Sequence, residues 1–337
     1  MDELLKRLTE AHGVSGDEGE IREILKQEVT NLADEVSIDR MGNLIAFKKG
    51  TKGGKKLMIC AHMDEVGLII HTIAENGTLK FSTVGSIDSR VLISKKVKIG
   101  KKKHTGILGL KAIHLQEPDE RKTLVKSKQL YIDIGARSKD EASKLISLGD
   151  YAAFDTEYLA FGQNRIKAKA LDDRLGCSIL LDVLKNRYPY DIYACFTVQE
   201  EVGLRGAGAA AFNIKPSMAL IIEGTTCSDV PGVDEHMRST RLGKGPAITV
   251  MDATSYSNKE MVNRLVETAI KENIPYQMKE SVTGGNDAGA IHISGEGIKT
   301  AVVSVPCRYI HSPNSVADMN DYYSTSRLVE AFLKGCE

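Results

Sequence analysis

Residues 192–223 read IYACFTVQEEVGLRGAGAAAFNIKPSMALIIE, and this stretch decides the fold class. Ile192–Val198 and Met218–Ile222 are apolar runs of strand length, and Arg205–Phe212 between them has a helical pattern. A strand, a helix and a second strand in this order are typical of an α/β fold. Glu223 follows the second apolar run directly, and Glu200 follows the first after one intervening residue, so both predicted strands end near acidic side chains that could take part in chemistry.

The same alternation extends to both ends of the chain. The apolar spacing over residues 21–29 predicts an N-terminal helix, and Ser15 and Glu18 have the spacing of a capping box ahead of it. Lys56–Cys60 predicts another apolar strand, and Tyr322–Leu333 predicts a closing helix. These elements belong with the α/β unit of residues 192–223.

A different pattern interrupts the alternation from about residue 67 to residue 163. Short β-like segments there alternate with clusters of Gly, Ser and Lys. We therefore expect a small β-rich domain, residues 67–163, inserted between two halves of a larger α/β domain. The larger domain takes residues 1–66 and 164–337.

Composition excludes several classes of protein. The 337 residues contain 45 Lys and Arg against 45 Asp and Glu, so the formal net charge is zero. We expect no binding to nucleic acids or membrane surfaces, because both normally require a basic face. The N-terminus lacks the apolar core of a signal peptide. Six scattered cysteines without a Cys-x-x-Cys pair predict free thiols in a cytoplasmic protein.

Acidic residues and histidines follow the C-terminal ends of several predicted strands. They are His62, Asp64, Glu200, Glu201, Glu223 and His311. Ligands of an open α/β sheet bind outside the carboxyl ends of its strands, so we expect these side chains to converge on one crevice. Neighbouring carboxylates repel, and metal cations would compensate for them. Any one of these acids is as well explained by a surface loop, but their repetition at successive strand ends favours a metal site.

Four segments, in chain order, resemble the motifs of the M42 family of metalloaminopeptidases. They are residues 62–67 (HMDEVG), 171–176 (LDDRLG), 200–207 (EEVGLRGA) and 308–313 (RYIHSP). The family includes glutamyl aminopeptidases, deblocking aminopeptidases and proteins labelled endoglucanase M. The resemblance implies a zinc-peptidase-like α/β/α sandwich with a mixed central sheet, into which a small β-barrel-like domain is inserted.

The resemblance also implies a site for two divalent metal ions. His62 and Glu223 would bind one ion, Glu201 and His311 would bind the other, and Asp172 would bridge both. Histidine and carboxylate ligands without cysteine suit zinc or cobalt, with manganese as a third candidate. The family usually has Asp where Glu223 stands, so this position is a departure from the family pattern.

Further roles follow from the same resemblance. Glu200 would be the general base, and Asp64 would hold the second imidazole nitrogen of His62. Apart from the resemblance, the adjacent opposite charges of Asp173 and Arg174 are expected to pair and to position Asp172.

Other residues keep two readings. Arg308 would either meet a substrate carboxylate or form a structural salt bridge. Asp287 would lie in a loop near the crevice or cap a helix.

The function implied is a dinuclear metal-dependent aminopeptidase that removes N-terminal residues from short peptides. In the family the inserted domain makes dimer contacts, and the dimers assemble into a dodecamer. Two alternatives remain open: a metal-dependent deacylase or glycanase on the same scaffold, and an inactive binding or regulatory assembly. The sequence leaves open both the preferred N-terminal residue and the native metal.

Overall fold

The computed structural model describes residues 2–335, so Cys336 lies outside it. The strands of this part are β1 (Glu35–Ile38), β2 (Leu44–Lys48), β3 (Lys56–His62), β4 (Gly67–Ile73), β5 (Leu79–Val84), β6 (Lys96–Ile99), β7 (His104–Gly109), β8 (Tyr131–Asp133), β9 (Tyr151–Phe154), β10 (Leu159–Phe161), β11 (Arg165–Ala168), β12 (Asp191–Thr197), β13 (Met218–Thr226), β14 (Ala247–Thr249), β15 (Gln277–Met278), β16 (Lys299–Arg308) and β17 (Ser315–Asp318). The helices are α1 (Asp2–Glu10), α2 (Gly19–Val29), α3 (Pro118–Lys122), α4 (Lys139–Ser143), α5 (Leu171–Leu184), α6 (Arg205–Ile214), α7 (Lys259–Lys271), α8 (Ala288–Ile291) and α9 (Met319–Gly335).

A mixed sheet forms the centre of the larger unit. Its strand order is β1-β2-β12-β3-β13-β16-β17-β11-β10, with β14 and β15 attached beside β16. The four central strands β12, β3, β13 and β16 run parallel, and antiparallel strands flank them. The carboxyl ends of the parallel strands therefore share one edge of the sheet, as the sequence predicts.

Helices cover both faces of this sheet. In β3, Leu57 and Ile59 pack in the core that contains α1, α2, α5, α7 and α9. Met58 and Cys60 point the other way, into a second core with the small residues of α6 and α8. Alternation along one strand thus buries both faces of the sheet, and the predicted α/β/α sandwich is confirmed.

The second unit is a closed barrel of six strands in the order β4-β5-β8-β7-β6-β9. It has a separate apolar core that includes Leu68, Phe81 and Ile132. The expected β-barrel-like unit is therefore present. Its strands run from Gly67 to Phe154, while β10, which the predicted domain boundaries place in the insertion, pairs with the large sheet.

Two further predictions from sequence have different outcomes. Ser15 does not cap α2: that helix begins after Glu18, which makes no capping hydrogen bond through its side chain. Five of the six cysteines are described, and all five are buried free thiols. Within residues 2–335, none of the helices combines the length and apolar character needed to span a bilayer.

Candidate metal centre

The register of the sheet brings two strand ends side by side. His62, the last residue of β3, lies opposite Thr197, the last residue of β12. Glu200 and Glu201 follow β12, so they emerge next to the imidazole of His62. Glu223 lies within β13 on the other side of β3 and is level with Ser304 of β16.

One group of candidate ligands surrounds His62. Its Nε2 atom lies 3.3 Å from Oδ1 of Asp172 and 3.6 Å from Oε2 of Glu223. The imidazole is 1% exposed and Glu223 is 4% exposed, so water contributes little to their solvation. Asp173 also brings a carboxylate oxygen within 4.8 Å of donor atoms of His62 and Glu223.

A second group surrounds His311, which follows β16. Its Nε2 atom lies 3.2 Å from Oε2 of Glu201 and 3.7 Å from Oδ2 of Asp172. His311 has a φ angle of 56°, in the left-handed region that non-glycine residues rarely adopt. Such a conformation at a candidate site is consistent with a backbone shaped for function.

Asp172 connects the two groups. Its Oδ1 atom faces His62 and its Oδ2 atom faces His311. The residue has non-helical dihedral angles at the start of α5, which turn its side chain away from the helix pattern. Gly224 permits this approach, because a Cβ atom there would stand 2.8 Å from Oδ1 of Asp172. The structure thus brings together all five residues expected to bind metal.

Asp64 organises the loops around the site and is completely buried. Its carboxylate accepts hydrogen bonds from the backbone N–H groups of Glu200 at 3.0 Å and Glu201 at 3.2 Å. It also accepts a 2.6 Å hydrogen bond from the Ser15 hydroxyl, which sequence spacing had assigned to helix capping. Nδ1 of His62 lies 3.1 Å from the backbone carbonyl oxygen of Asp64 and 3.5 Å from its Oδ1.

Several carboxyl groups lie buried and close together in this cluster, and this shifts their pKa values. Burial and neighbouring carboxylates raise the pKa values of Glu201 and Glu223 well above their usual range. Burial also raises the pKa of Glu200 in the same way. For His62, burial lowers the pKa, but contacts with Asp172 and Asp64 outweigh it and the net shift is strongly upward. Positive charge is therefore favoured at this position.

The donor set fits divalent metal ions. Imidazole nitrogens and carboxylate oxygens without thiolates are ligands of zinc and related metals. Within residues 2–335, the buried Oε1 atom of Glu223 has no hydrogen-bond partner, and neither has Oδ2 of Asp173. Buried carboxylate oxygens are rarely left in this state, so a bound cation gives a physical reason for them.

Behind the site, a buried ion cluster joins the N-terminal segment to the Asp172 loop. Nζ of Lys169 donates to both carboxylate oxygens of Glu65, at 2.6 and 2.8 Å, and to the carbonyl oxygen of Ala11 at 2.7 Å. Arg174 lies 3.6 Å from the same Glu65 carboxylate. The expected pairing of Arg174 with Asp173 is therefore wrong.

The sequence left two possible roles each for Arg308 and Asp287, and the structure shows the contacts that both side chains make. Arg308 forms a two-point ion pair with Asp229, with N–O distances of 2.6 and 2.8 Å. Asp287 stands at the start of α8 but makes no capping hydrogen bond, and its carboxylate instead accepts from Thr197 and Cys60. The prediction that Asp287 caps a helix is therefore wrong, and local spacing could not have shown its actual partners, because they lie on strands distant in sequence.

A cavity of about 140 Å³ opens beside the cluster. Its wall includes His62, Asp172, Glu200, Glu223 and His311. The candidate ligands therefore face a space that a small molecule can enter, which separates them from a purely structural metal site.

Comparison with known proteins gives consistent matches. The sequence profile described as M42 glutamyl aminopeptidase matches residues 42–328, and a second profile, described as AMPT, matches residues 1–25. The lysyl aminopeptidase of Pyrococcus furiosus is 34% identical over 340 residues, which cover 98% of this chain and 96% of that protein.

Two solved structures resemble this chain over nearly its whole length. The aminopeptidase APDkam598 of the archaeon Desulfurococcus kamchatkensis is 39% identical, with a TM-score of 0.95 over 99% of this chain and 94% of that chain. The TET1 peptidase of Pyrococcus horikoshii can assemble into a tetrahedron or a large octahedral shell. It is 32% identical, with a TM-score of 0.89 over 99% of each chain. The sandwich with its inserted barrel is thus a fold found in peptidases.

Proposed function

This chain belongs to the family of M42 glutamyl aminopeptidases, and we propose that it removes N-terminal residues from short peptides with two divalent metal ions. The observation that carries the proposal is the position of Asp172 between two histidines. One of its oxygens lies 3.3 Å from His62 and the other 3.7 Å from His311. A carboxylate with an imidazole on each side is suited to bridge two cations.

In this proposal each cation has its own set of ligands. His62 and Glu223 would hold the first ion, Glu201 and His311 would hold the second, and Asp172 would be shared between them. Glu223 stands where the family usually has Asp, and its unpaired Oε1 atom is free to serve as a ligand. We propose zinc or cobalt as the ions, with manganese third, because these metals share the ligand types present.

Glu200 and Asp64 have separate roles in the proposed hydrolysis. When bound, the two cations supply Lewis acidity, which lowers the pKa of a water molecule and polarises the scissile carbonyl. The Glu200 carboxylate would accept a proton from the attacking water and would donate it to the leaving amine. Asp64 fixes the backbone of Glu200 through a 3.0 Å hydrogen bond, so the base is held in place. The acidic crevice also attracts the cationic α-amino group of a peptide.

We propose that the inserted domain, residues 67–163, mediates dimer contacts and that dimers build a closed dodecamer. The tetrahedral shell of the TET1 peptidase, whose chain matches this one almost end to end, supports a closed homo-oligomer. Such a shell would admit short peptides and exclude folded proteins. A sedimentation experiment that found only monomers across assay concentrations would contradict this part of the proposal. The buried free thiols support a cytoplasmic location.

Hydrolysis of aminoacyl-p-nitroanilides tests the activity. The full-length protein is treated with a chelator and then reconstituted with Zn²⁺, Co²⁺ or Mn²⁺. We expect the rate to disappear with the chelator, to return with at least one metal, and to be absent with an N-acetylated substrate as the matched control. A deacylase would instead release acetate from the N-acetylated substrate, and a glycanase would cleave only glycosides. An inactive assembly would bind metal without any hydrolysis.

A further inference from the structure

The segment that carries Glu200 contains strained backbone near both of its ends. We call residues 198–206, which run from the end of β12 into α6, the Glu200 loop. Gln199 and Leu204 have φ angles of 57° and 58°, in the left-handed region that non-glycine residues rarely adopt. Backbone of this kind persists only where the surrounding structure holds it. The contacts that hold the Glu200 loop therefore determine where the proposed base lies.

The side chain of Asn43 contacts both ends of the Glu200 loop. Its Oδ1 atom accepts a 3.0 Å hydrogen bond from the backbone N–H of Val198, and its Nδ2 atom donates a 2.9 Å hydrogen bond to the carbonyl oxygen of Gly206. The two ends are also joined directly, because the N–H of Gly206 donates to the carbonyl oxygen of Val198 at 3.1 Å. One side-chain amide thus completes the closure of the loop.

The sheet brings Asn43 to this position. Strands β2 and β12 are antiparallel, and their ladder ends at the pair Leu44 and Phe196. Asn43 directly precedes Leu44, so its side chain continues the hydrogen bonding between the two strands beyond the end of the ladder. Gly206 permits this approach, because a Cβ atom there would collide with Oδ1 of Asn43.

The amide of Asn43 is itself held in one orientation. The residue is completely buried, and its Nδ2 atom also donates to Oδ2 of Asp39 at 2.7 Å. Oδ1 of Asp39 accepts a 3.0 Å hydrogen bond from the backbone N–H of Asn43, which anchors the residue in the turn between β1 and β2. An amide rotated by 180° would point its NH₂ group at the N–H of Val198 and its oxygen at the carboxylate of Asp39. Only the observed orientation satisfies all three side-chain partners.

We propose that Asn43 is a positioning residue: by closing the two ends of the loop, it holds Glu200 in the orientation that proton transfer requires. The inference rests on the aminopeptidase function proposed above, in which Glu200 is the base. Asp64 accepts a hydrogen bond from the N–H of Glu200 itself, whereas Asn43 fixes the points at which the loop leaves β12 and enters α6.

Hydrogen exchange tests the hold on the loop without depending on turnover. In metal-loaded Asn43→Ala we expect the amides of residues 199–205 to exchange about tenfold faster than in the wild type, while those of β3 and β13 keep their rates. Asn258→Ala is the matched control, because the Asn258 side chain accepts a 3.2 Å hydrogen bond from the N–H of Met261 in α7. It should leave exchange in the Glu200 loop unchanged. Wild-type exchange of the loop in Asn43→Ala, or an equal rise over the whole chain, would overturn the proposal.

Kinetics test whether this hold matters for catalysis. At saturating metal, Asn43→Ala should lower kcat for an aminoacyl-p-nitroanilide by about tenfold to a hundredfold, as expected for a small displacement of a catalytic group. KM should change by less than about twofold, because the loss falls on the chemical step. Asn258→Ala should keep the wild-type kcat. A folded Asn43→Ala protein with wild-type kcat, or with a change confined to KM, would contradict the role of Asn43.

A double variant shows whether Asn43 acts through the base. In Glu200→Gln the proposed proton acceptor is already missing, so adding Asn43→Ala should lower the residual rate by less than about twofold. A structural role unrelated to Glu200 would lower the rate by the same factor in both backgrounds. That result would show that Asn43 does not position the base.

A milder variant keeps the test decisive if Asn43→Ala does not fold. Asp39→Ala removes the carboxylate that anchors the Asn43 amide, on a partly exposed turn. It should change loop exchange and kcat in the same direction by smaller factors, and wild-type values of both would overturn the proposal. The two levels of the proposal fail in different ways. If no aminoacyl substrate is cleaved with any metal, the aminopeptidase function itself is wrong, whereas cleavage with normal kcat in these variants removes only the role of Asn43.

Discussion

The backbone N–H of Glu200 donates a 3.0 Å hydrogen bond to the buried carboxylate of Asp64. A residue that follows β3 thereby holds the loop that follows the neighbouring strand β12. The same carboxylate accepts a hydrogen bond from the N–H of Glu201 at 3.2 Å. The proposed base and a proposed ligand are therefore positioned by one side chain, which itself lies two residues after His62.

This arrangement predicts a combined defect in the variant Asp64→Asn. The amide retains one acceptor oxygen, but its NH₂ group is turned towards backbone N–H donors, so at least one hydrogen bond is lost. We expect kcat and metal affinity each to fall by about tenfold to a hundredfold, as is usual for residues that support metal ligands. Steady-state kinetics and metal titration measure the two effects. Asp119→Asn is the control, because the Asp119 side chain is 98% exposed. If kcat and metal affinity of Asp64→Asn both stayed within twofold of wild type, the proposed role of Asp64 would be wrong.

Adjacent glutamates should respond differently to the same substitution. Glu200→Gln removes the proposed proton acceptor, so turnover should fall by about a hundredfold or more while both metal ions remain bound. Glu201→Gln removes a proposed ligand, and we expect the protein to lose one of its two ions. Kinetics and elemental analysis of the dialysed proteins separate these outcomes. Near-normal turnover in Glu200→Gln would exclude it as the base.

How far sequence predicts this site depends on the range of the interactions. The sheet and most of its candidate ligands are predictable because each central strand contains a local apolar run, and His62, Glu201, Glu223 and His311 lie at or within a few residues after the end of such a run. Asp172 is different: it begins a helix, and its inclusion came from the resemblance of residues 171–176 to a family motif. A pattern of strand ends alone would have omitted the residue that connects the two groups.

Interactions between distant loops were beyond sequence reasoning. Ser15 has the spacing of a helix cap, but in the folded protein its hydroxyl bonds to Asp64, 49 residues away. Arg174 stands next to Asp173 in sequence, yet its partner is Glu65. Local spacing favours one partner in each case. In the folded protein each side chain instead pairs with a buried carboxylate from another loop, Asp64 for Ser15 and Glu65 for Arg174. These contacts are favoured because an unpaired buried charge is costly.

Metal removal should make stability depend on pH. Burial raises the folded-state pKa values of Glu201 and Glu223, so the folded metal-free protein binds more protons than the unfolded chain above about pH 4.5. Its free energy of unfolding should therefore fall as pH rises from that value, by about 1.4 kcal/mol for each unit of pKa shift. Urea unfolding of the chelated protein at about pH 5.5 and about pH 8 measures the effect.

Matched forms provide the controls for this pH dependence. The metal-loaded protein should show a smaller loss between the two pH values, because its ligands are already ionised and compensated. The double variant Glu201→Gln/Glu223→Gln lacks the two titrating groups and should also show a flatter profile without metal. If the chelated wild type were as stable at about pH 8 as at about pH 5.5, ionisation of the buried carboxyl groups would not destabilise the fold, and the prediction would be wrong.

The ion pair between Lys169 and Glu65 should contribute strongly to stability. Lys169→Met leaves the buried Glu65 carboxylate without its two shortest contacts, so we expect unfolding free energy to fall by about 3–5 kcal/mol in urea titrations of the metal-loaded protein. Adding Glu65→Gln should recover part of the loss, since the uncompensated charge is then removed. Lys167→Met, two residues earlier on β11, should change stability by less than about 0.5 kcal/mol. A loss below about 1 kcal/mol in Lys169→Met would mean that Arg174 alone satisfies Glu65.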